Sequence, residues 1–557
     1  MTADRQGPVV RTPYGDVRGT YAYGDGYEDG IAVFRGIPYA APPFGPRRFR
    51  PPSPPEPWTG VRDAVAFGPT PPKPPYSEAF AHYLSDPVVP GDDCLNLNVW
   101  TPEPGRGARL PVLVWIHGGA LTRGSSAVPV YDGAAFARDG VVLVSLNYRL
   151  GVEGYGLFPD APPNLGLRDQ LAALEWVRDS IAGFGGDPDR VTLAGQSAGA
   201  ISVGALLAVP RARGLFRRAV LQSGPPEALD RDKVRRMVRR MATRLKVPAT
   251  AEAFAAVDRS TLVEAQAEAG RLSSPVLGGP AFGIVVDGEL LPTDPLQALT
   301  EHGAAPGIDL LMGWTRDEHR LWLVPGGLQE RVDRLGTVAL AGARARCRCG
   351  PEVPRGYRDL HPDKGTADLV GRLVTDHLLR VPLHRVAEAR LGQEQARSYL
   401  YEFAWPSGIP ALGSCHALEL GFVFDTGGAP ASAKLAGENP PPHLATALHT
   451  AWVRFATDGA PGWPAWDATH PVRVFDTPDA THAPGAMDAP DATGDMDGIG
   501  GMDGPRIVFG PYDPELALWD ADARRPRRVQ GSGTFVTSGV TSGGGPLPAL
   551  RRFRRSP

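Results

Sequence analysis

Residues 191–199 read VTLAGQSAG, and this stretch constrains the chain more than any other. Val191, Thr192, Leu193 and Ala194 form a short, mostly apolar run, the pattern of a buried strand. Gly195, Gln196, Ser197, Ala198 and Gly199 then match G-x-S-x-G. Small residues follow, with Leu206 and Leu207 beyond them, which reads as a helix. Upstream, Gly185, Gly186, Asp187 and Pro188 read as a turn. The motif therefore sits between a strand and a helix, the setting its chemistry requires. A sharp turn there strains Ser197 and lifts its Oγ above the sheet, while Gly195 and Gly199 remove side chains that would clash. The positive end of the following helix faces an oxyanion formed at the serine. The pattern alone is common and also fits a small-residue loop; the flanking strand and helix favour the catalytic reading.

The 557 residues are 42% hydrophobic and 21% charged, which predicts a globular protein with a large core. A net charge of −3 argues against a nucleic-acid partner or an anionic membrane surface. No apolar run approaches 18 residues, and the first residues carry no apolar leader. No membrane span and a cytoplasmic location are expected. Cys94, Cys347, Cys349 and Cys415 are too few for a disulfide scaffold. Cys347 and Cys349 have no second cluster to complete a metal site, so no zinc site is expected.

In chain order, short β-like runs separated by glycine fill residues 8–35 and predict N-terminal antiparallel strands. Proline density up to about Pro75 predicts irregular surface chain. Residues 91–100 alternate apolar and polar, as a half-buried strand would. Residues 110–116 and 141–148 are nearly all apolar, as central strands would be. Leu167, Leu171, Leu174, Val177 and Ile181 recur at helical spacing. Later strands are expected at 218–222, 308–312 and 398–405. Strand and helix alternate from residue 110, which predicts an α/β fold with a mostly parallel sheet. Helix-rich segments at 228–300 and 325–395 are placed to cap a site. The expected organisation is one domain over 1–523, a low-complexity insertion at about 481–505 and a tail over 524–557.

A serine nucleophile needs a base and an acid, in the chain order serine, acid, histidine. His416 lies in a polar loop leading into an apolar segment, a setting that His361, His443, His449, His470 and His482 lack. Asp317 and Glu318 follow the strand ending near Gly313, and residue chemistry does not separate them. His117, Gly118, Gly119 and Ala120 follow the 110–116 strand and suit an oxyanion hole, together with the N–H of Ala198.

These segments resemble type-B carboxylesterases, the α/β-hydrolase family that includes cholinesterases and bacterial para-nitrobenzyl esterases. The matching motifs are FRGIPYA at 34–40, DDCLNLNVWTP at 92–102, VWIHGGA at 114–120 and NYRLGV at 147–152. They continue with NLGLRDQLAALEWV at 164–177, FGGDPDRVTLAGQSAGA at 184–200, GLFRRAVLQSG at 214–224 and HALELGFVF at 416–424. The resemblance implies an α/β-hydrolase fold: a central twisted sheet flanked by helices, with N-terminal antiparallel strands and helical cap insertions. It implies Ser197 as nucleophile, Glu318 as acid, His416 as base, and Gly119, Ala120 and Ala198 as oxyanion donors. The substrates it implies are small-molecule esters, hydrolysed by a monomer or weak homo-oligomer without a cofactor. An amidase or carbamate hydrolase with the same triad is an alternative, as is a non-catalytic binding protein on the same fold. Arg149 with Asp169, and Arg35 with Asp92, match structural ion pairs of the family. Cys94 lacks its family partner, because Thr70 and Pro71 follow the FGP turn; that disulfide is not expected. Leu121 and Glu153 replace family aromatics, which points to an unusual acyl pocket. Gln196 stands where cholinesterases carry glutamate, which argues for neutral, moderately apolar esters over choline esters.

Overall fold

The computed structural model describes residues 7–271, 279–393, 395–477 and 506–523. Among these, fourteen strands run in chain order: β1 (Val9–Thr12), β2 (Gly15–Arg18), β3 (Thr20–Ala22), β4 (Ile31–Pro38), β5 (Val61–Asp63), β6 (Asn96–Thr101), β7 (Leu110–Ile116), β8 (Val142–Leu146), β9 (Gly186–Gln196), β10 (Arg218–Gln222), β11 (Asp309–Thr315), β12 (Ser398–Phe403), β13 (Pro471–Phe475) and β14 (Arg506–Phe509). β1, β2 and β5 make a small separate sheet. The other eleven form one sheet in the order β14-β13-β12-β11-β10-β9-β7-β8-β6-β4-β3. From β8 to β13 all pairings are parallel. Antiparallel strands close both ends, β6, β4 and β3 at one and β14 at the other. This is the α/β-hydrolase architecture.

The central strands are apolar because helices cover both faces of the sheet. Leu165–Ser180 and Ala198–Ala208 pack on one side, and Pro442–Asp458 on the other. β8 is buried along its whole length.

Three readings of the sequence are corrected. β6 was expected to be half-buried, but all six of its residues are buried. It lies between β8 and β4, and hydrogen bonds satisfy its polar residues: Asn98 Nδ2 donates to Ser126 Oγ and Ser145 Oγ, each at 3.0 Å. The expected turn at 185–188 shrinks to Gly185, which has φ 86°. β9 already begins at Gly186, because Leu110 pairs with it across a register shift. Arg35 does not pair with Asp92. Its guanidinium lies over the Phe67 and Trp100 rings and 4.0 Å from Asp132, while Asp92 takes Arg259 at 2.6 Å. Arg149 does pair with Asp169, at 2.6 Å, fully buried.

All four cysteines are free. Among the described residues, no helix is long and apolar enough to cross a membrane, and no group of three His, Cys, Asp or Glu is placed to hold a metal. The Gly/Asp/Met-rich segment at 481–505 and the chain from 524 lie outside the described residues. Between them β14 and the helix Asp513–Ala523 dock on the body, burying Tyr512 and Trp519.

Candidate active site

β9 ends at Gln196 and the helix Ala198–Ala208 begins at Ala198, leaving one residue for the turn. That residue, Ser197, has φ 57° and ψ −123°. Such a conformation costs a non-glycine residue about 1–3 kcal/mol and persists where the surroundings enforce it. They do so here: Ser197 N donates to Gln222 O on β10 at 2.8 Å, and Ile201 N to Ser197 O at 3.0 Å. A Cβ on Gly199 would lie 2.0 Å from Ile116 O at the end of β7. The glycine therefore lets the helix start directly against the sheet. Ser197 is half-buried, with its side chain on a cavity.

Glu318 follows β11 and His416 follows β12, both beyond the C-terminal ends of neighbouring parallel strands. One Glu318 oxygen accepts from Thr315 N at 2.8 Å, and the other meets His416 Nδ1 in a short contact. Burial alone would raise the Glu318 pKa, but the His416 ring, through its charge and hydrogen bond, holds it below the ordinary value. Asp317 turns away. Its carboxylate accepts from Ser414 N at 3.2 Å, and its own N donates to Ser414 O at 2.8 Å. Asp317 thus fastens the histidine loop to the acid loop, and the contact to the ring belongs to Glu318.

Two contacts of the site were not legible as such. Gln196 Nε2 lies 3.1 Å from His416 Nε2. Glu419, three residues after His416, is fully buried and accepts from Gln222 Nε2 at 3.3 Å. Burial and the charge of Glu318 push its pKa up to about 7. The signal for Glu419 was a lone acid inside the apolar run ALELGFVF.

The 118–120 loop runs beside the serine: a Cβ on Gly118 would sit 3.2 Å from Ser197 Cβ. Gly119 has φ 114° and Ala120 φ 55°, both left-handed. Among the described residues, the N–H groups of Gly119 and Ala120 have no backbone acceptor. These two donors and Ala198 N at the helix start belong to the segments that adjoin Ser197.

Ser197, Gln196, His416 and this loop line a cavity of about 790 Å³. Its other walls include Phe80, Tyr131, Leu321, Trp322, Leu418 and Leu435. The Trp322 ring lies 4.6 Å from the His416 ring. The charged side chains on the wall are Arg123 and Arg271, and no carboxylate among the described residues joins them. Gln266, Ala281 and Leu328 come from the two helix-rich segments expected to cap a site. Leu121 and Glu153 are not among the lining residues. Glu153 is held by Arg48, whose Nε donates to Oε1 at 2.7 Å.

Comparison with known proteins agrees with this architecture. The carboxylesterase family model matches residues 6–478. The para-nitrobenzyl esterase of Bacillus subtilis is 36% identical over 84% of this chain and 95% of its own. The phenmedipham hydrolase of Pseudarthrobacter oxydans is 36% identical over 83% of this chain and 94% of its own. A crystal structure of a carboxylesterase from Geobacillus stearothermophilus superposes with a TM-score of 0.76 at 35% identity, covering 92% of this chain and 99% of that one. The chain is a carboxylic ester hydrolase and belongs to the carboxylesterase family.

Proposed function

We propose that this enzyme works as a serine esterase through an acyl-enzyme intermediate. The observation that carries the reading is the strained Ser197 opening onto the same cavity as a histidine backed by a buried carboxylate. His416 Nε2 takes the Ser197 proton as Oγ attacks the ester carbonyl. The N–H groups of Gly119, Ala120 and Ala198 receive the developing oxyanion. Glu318 fixes the ring orientation and stabilises its cation. His416 returns the proton to the departing alcohol, and water then enters and is activated in the same way to release the acid.

The apolar walls and the absence of a lining carboxylate among the described residues support small, neutral, moderately apolar esters as substrates. Two cationic side chains on the wall oppose a quaternary ammonium group. Carbamates are a second reading, favoured by the similarity to phenmedipham hydrolase. An ester, a carbamate and an amide sharing one aryl group are the test. The reading predicts a burst of aryl product with the ester and a rate order of ester over carbamate over amide. Faster turnover of the carbamate would favour the second reading, and turnover of none would contradict both.

A further inference from the structure

His416 Nδ1 faces the Glu318 carboxylate; with the ring proton held there by that acceptor, the neutral ring keeps its lone pair on Nε2. The polar atom that meets this lone pair is the amide nitrogen of Gln196, at 3.1 Å. An amide N–H donates and the neutral imidazole accepts. The Gln196 side chain is buried between this ring and the oxyanion loop, since a Cβ on Gly118 would lie 2.9 Å from its Oε1. One amide therefore spans the base and the loop that receives the oxyanion. An amide also carries both a donor and an acceptor, whereas a carboxylate carries acceptors only.

We propose that Gln196 is a positioning residue that caps the lone pair of His416 Nε2 with its N–H in the resting enzyme, releases it when Ser197 donates there, and turns its carbonyl to that nitrogen once it is protonated. The inference rests on the reading of Ser197 and His416 as nucleophile and base. In the resting state the cap stabilises the neutral ring, the form able to accept the serine proton. When Oγ attacks, the proton passes to Nε2, and an unturned amide would set N–H against N–H. Turning the amide, or withdrawing it, relieves that clash. A glutamate at 196 would serve the cation alone and hold the ring protonated to higher pH.

Titratable groups around the ring come from several elements. Glu318 holds Nδ1 from the loop after β11, and Asp317 beside it is tied to Ser414. Glu419 and Cys415 lie on the histidine's own segment, and Tyr401 faces the two glutamates from β12. All five are unchanged in the variants below, so a displaced profile reports position 196.

The test is the pH profile of kcat/KM for a neutral ester in the wild type, Gln196→Glu and Gln196→Ala, normalised to sites titrated with a neutral fluorophosphonate. Gln196→Glu is expected to move the acid limb to higher pH by about 1–3 units, as an opposite charge beside an ionising group does. Gln196→Ala removes the donor to the neutral ring and is expected to move the limb the same way by about half a unit. Should Gln196→Glu fail to fold, the alanine variant alone decides. Lower activity with both limbs unmoved would show a merely structural role and overturn the inference. Labelling of the wild type at a residue other than Ser197 would instead overturn the reading on which it rests.

Discussion

Glu318 meets His416 Nδ1 with one oxygen, while the adjacent Asp317 gives its carboxylate to the backbone of Ser414. Two neighbouring acids thus do different work: one faces the ring, and the other ties together the loops that carry it. Glu318→Gln is expected to lower kcat/KM by about two to four orders of magnitude, because the amide no longer compensates an imidazolium. Asp317→Asn keeps a carbonyl acceptor for Ser414 N and is expected to stay within about tenfold of the wild type. Equal small losses in steady-state assays of the two variants would show that neither is the catalytic acid.

Glu153 is accounted for by Arg48, which also donates to the carbonyls of Ala255 at 3.0 Å and Val257 at 2.6 Å. Its charge is therefore compensated away from the cavity wall. A choline ester is expected to have a kcat/KM no higher than that of its neutral tert-butyl analogue. A tenfold advantage for choline would contradict this. Glu153→Gln is expected to leave that ratio unchanged while lowering stability by about 1–3 kcal/mol, since Arg48 then stays buried without a full counter-charge. Thermal denaturation checks the second half.

Glu419 supplies a pH dependence of stability. Its folded pKa, about 7, lies above the ordinary value of 4.5. Below pH 4.5 both folded and unfolded forms are protonated. Between 4.5 and 7 the unfolded chain loses this proton first, so stability falls as pH rises and levels off above 7. The loss is at most about 3 kcal/mol, from 1.36 kcal/mol per unit. Glu419→Gln removes the titration. Its Tm, compared with that of the wild type, is expected to improve from pH 5 to about pH 7 and then level off; a constant difference across that range would refute the assignment.

The sequence made the local parts of the site legible and left the cross-chain contacts open. Ser197 was readable because strand, turn and helix are encoded within a dozen residues around it. Gly119 and Ala120 were readable for the same reason, at the end of β7. Asp317 and Glu318 were inseparable by chemistry, because the choice depends on where a loop about a hundred residues later folds back. The Gln196 contact to His416 has the same origin, the partners lying 220 positions apart in the sequence. β6 misled because alternation also arises when buried asparagines are satisfied by neighbours such as Ser126 and Ser145. β14 has only four residues and follows a low-complexity stretch, and its place is set by pairing with β13 rather than by its own pattern.

The central claim, that Ser197 is the nucleophile of this ester hydrolase, is tested most directly by labelling the full chain with a fluorophosphonate and mapping the modified peptide by mass spectrometry. The account predicts one label per chain, on Ser197, with labelling abolished in Ser197→Ala and ester turnover in that variant lower by several orders of magnitude. A label on another residue such as Ser223, or undiminished turnover in Ser197→Ala, would contradict it.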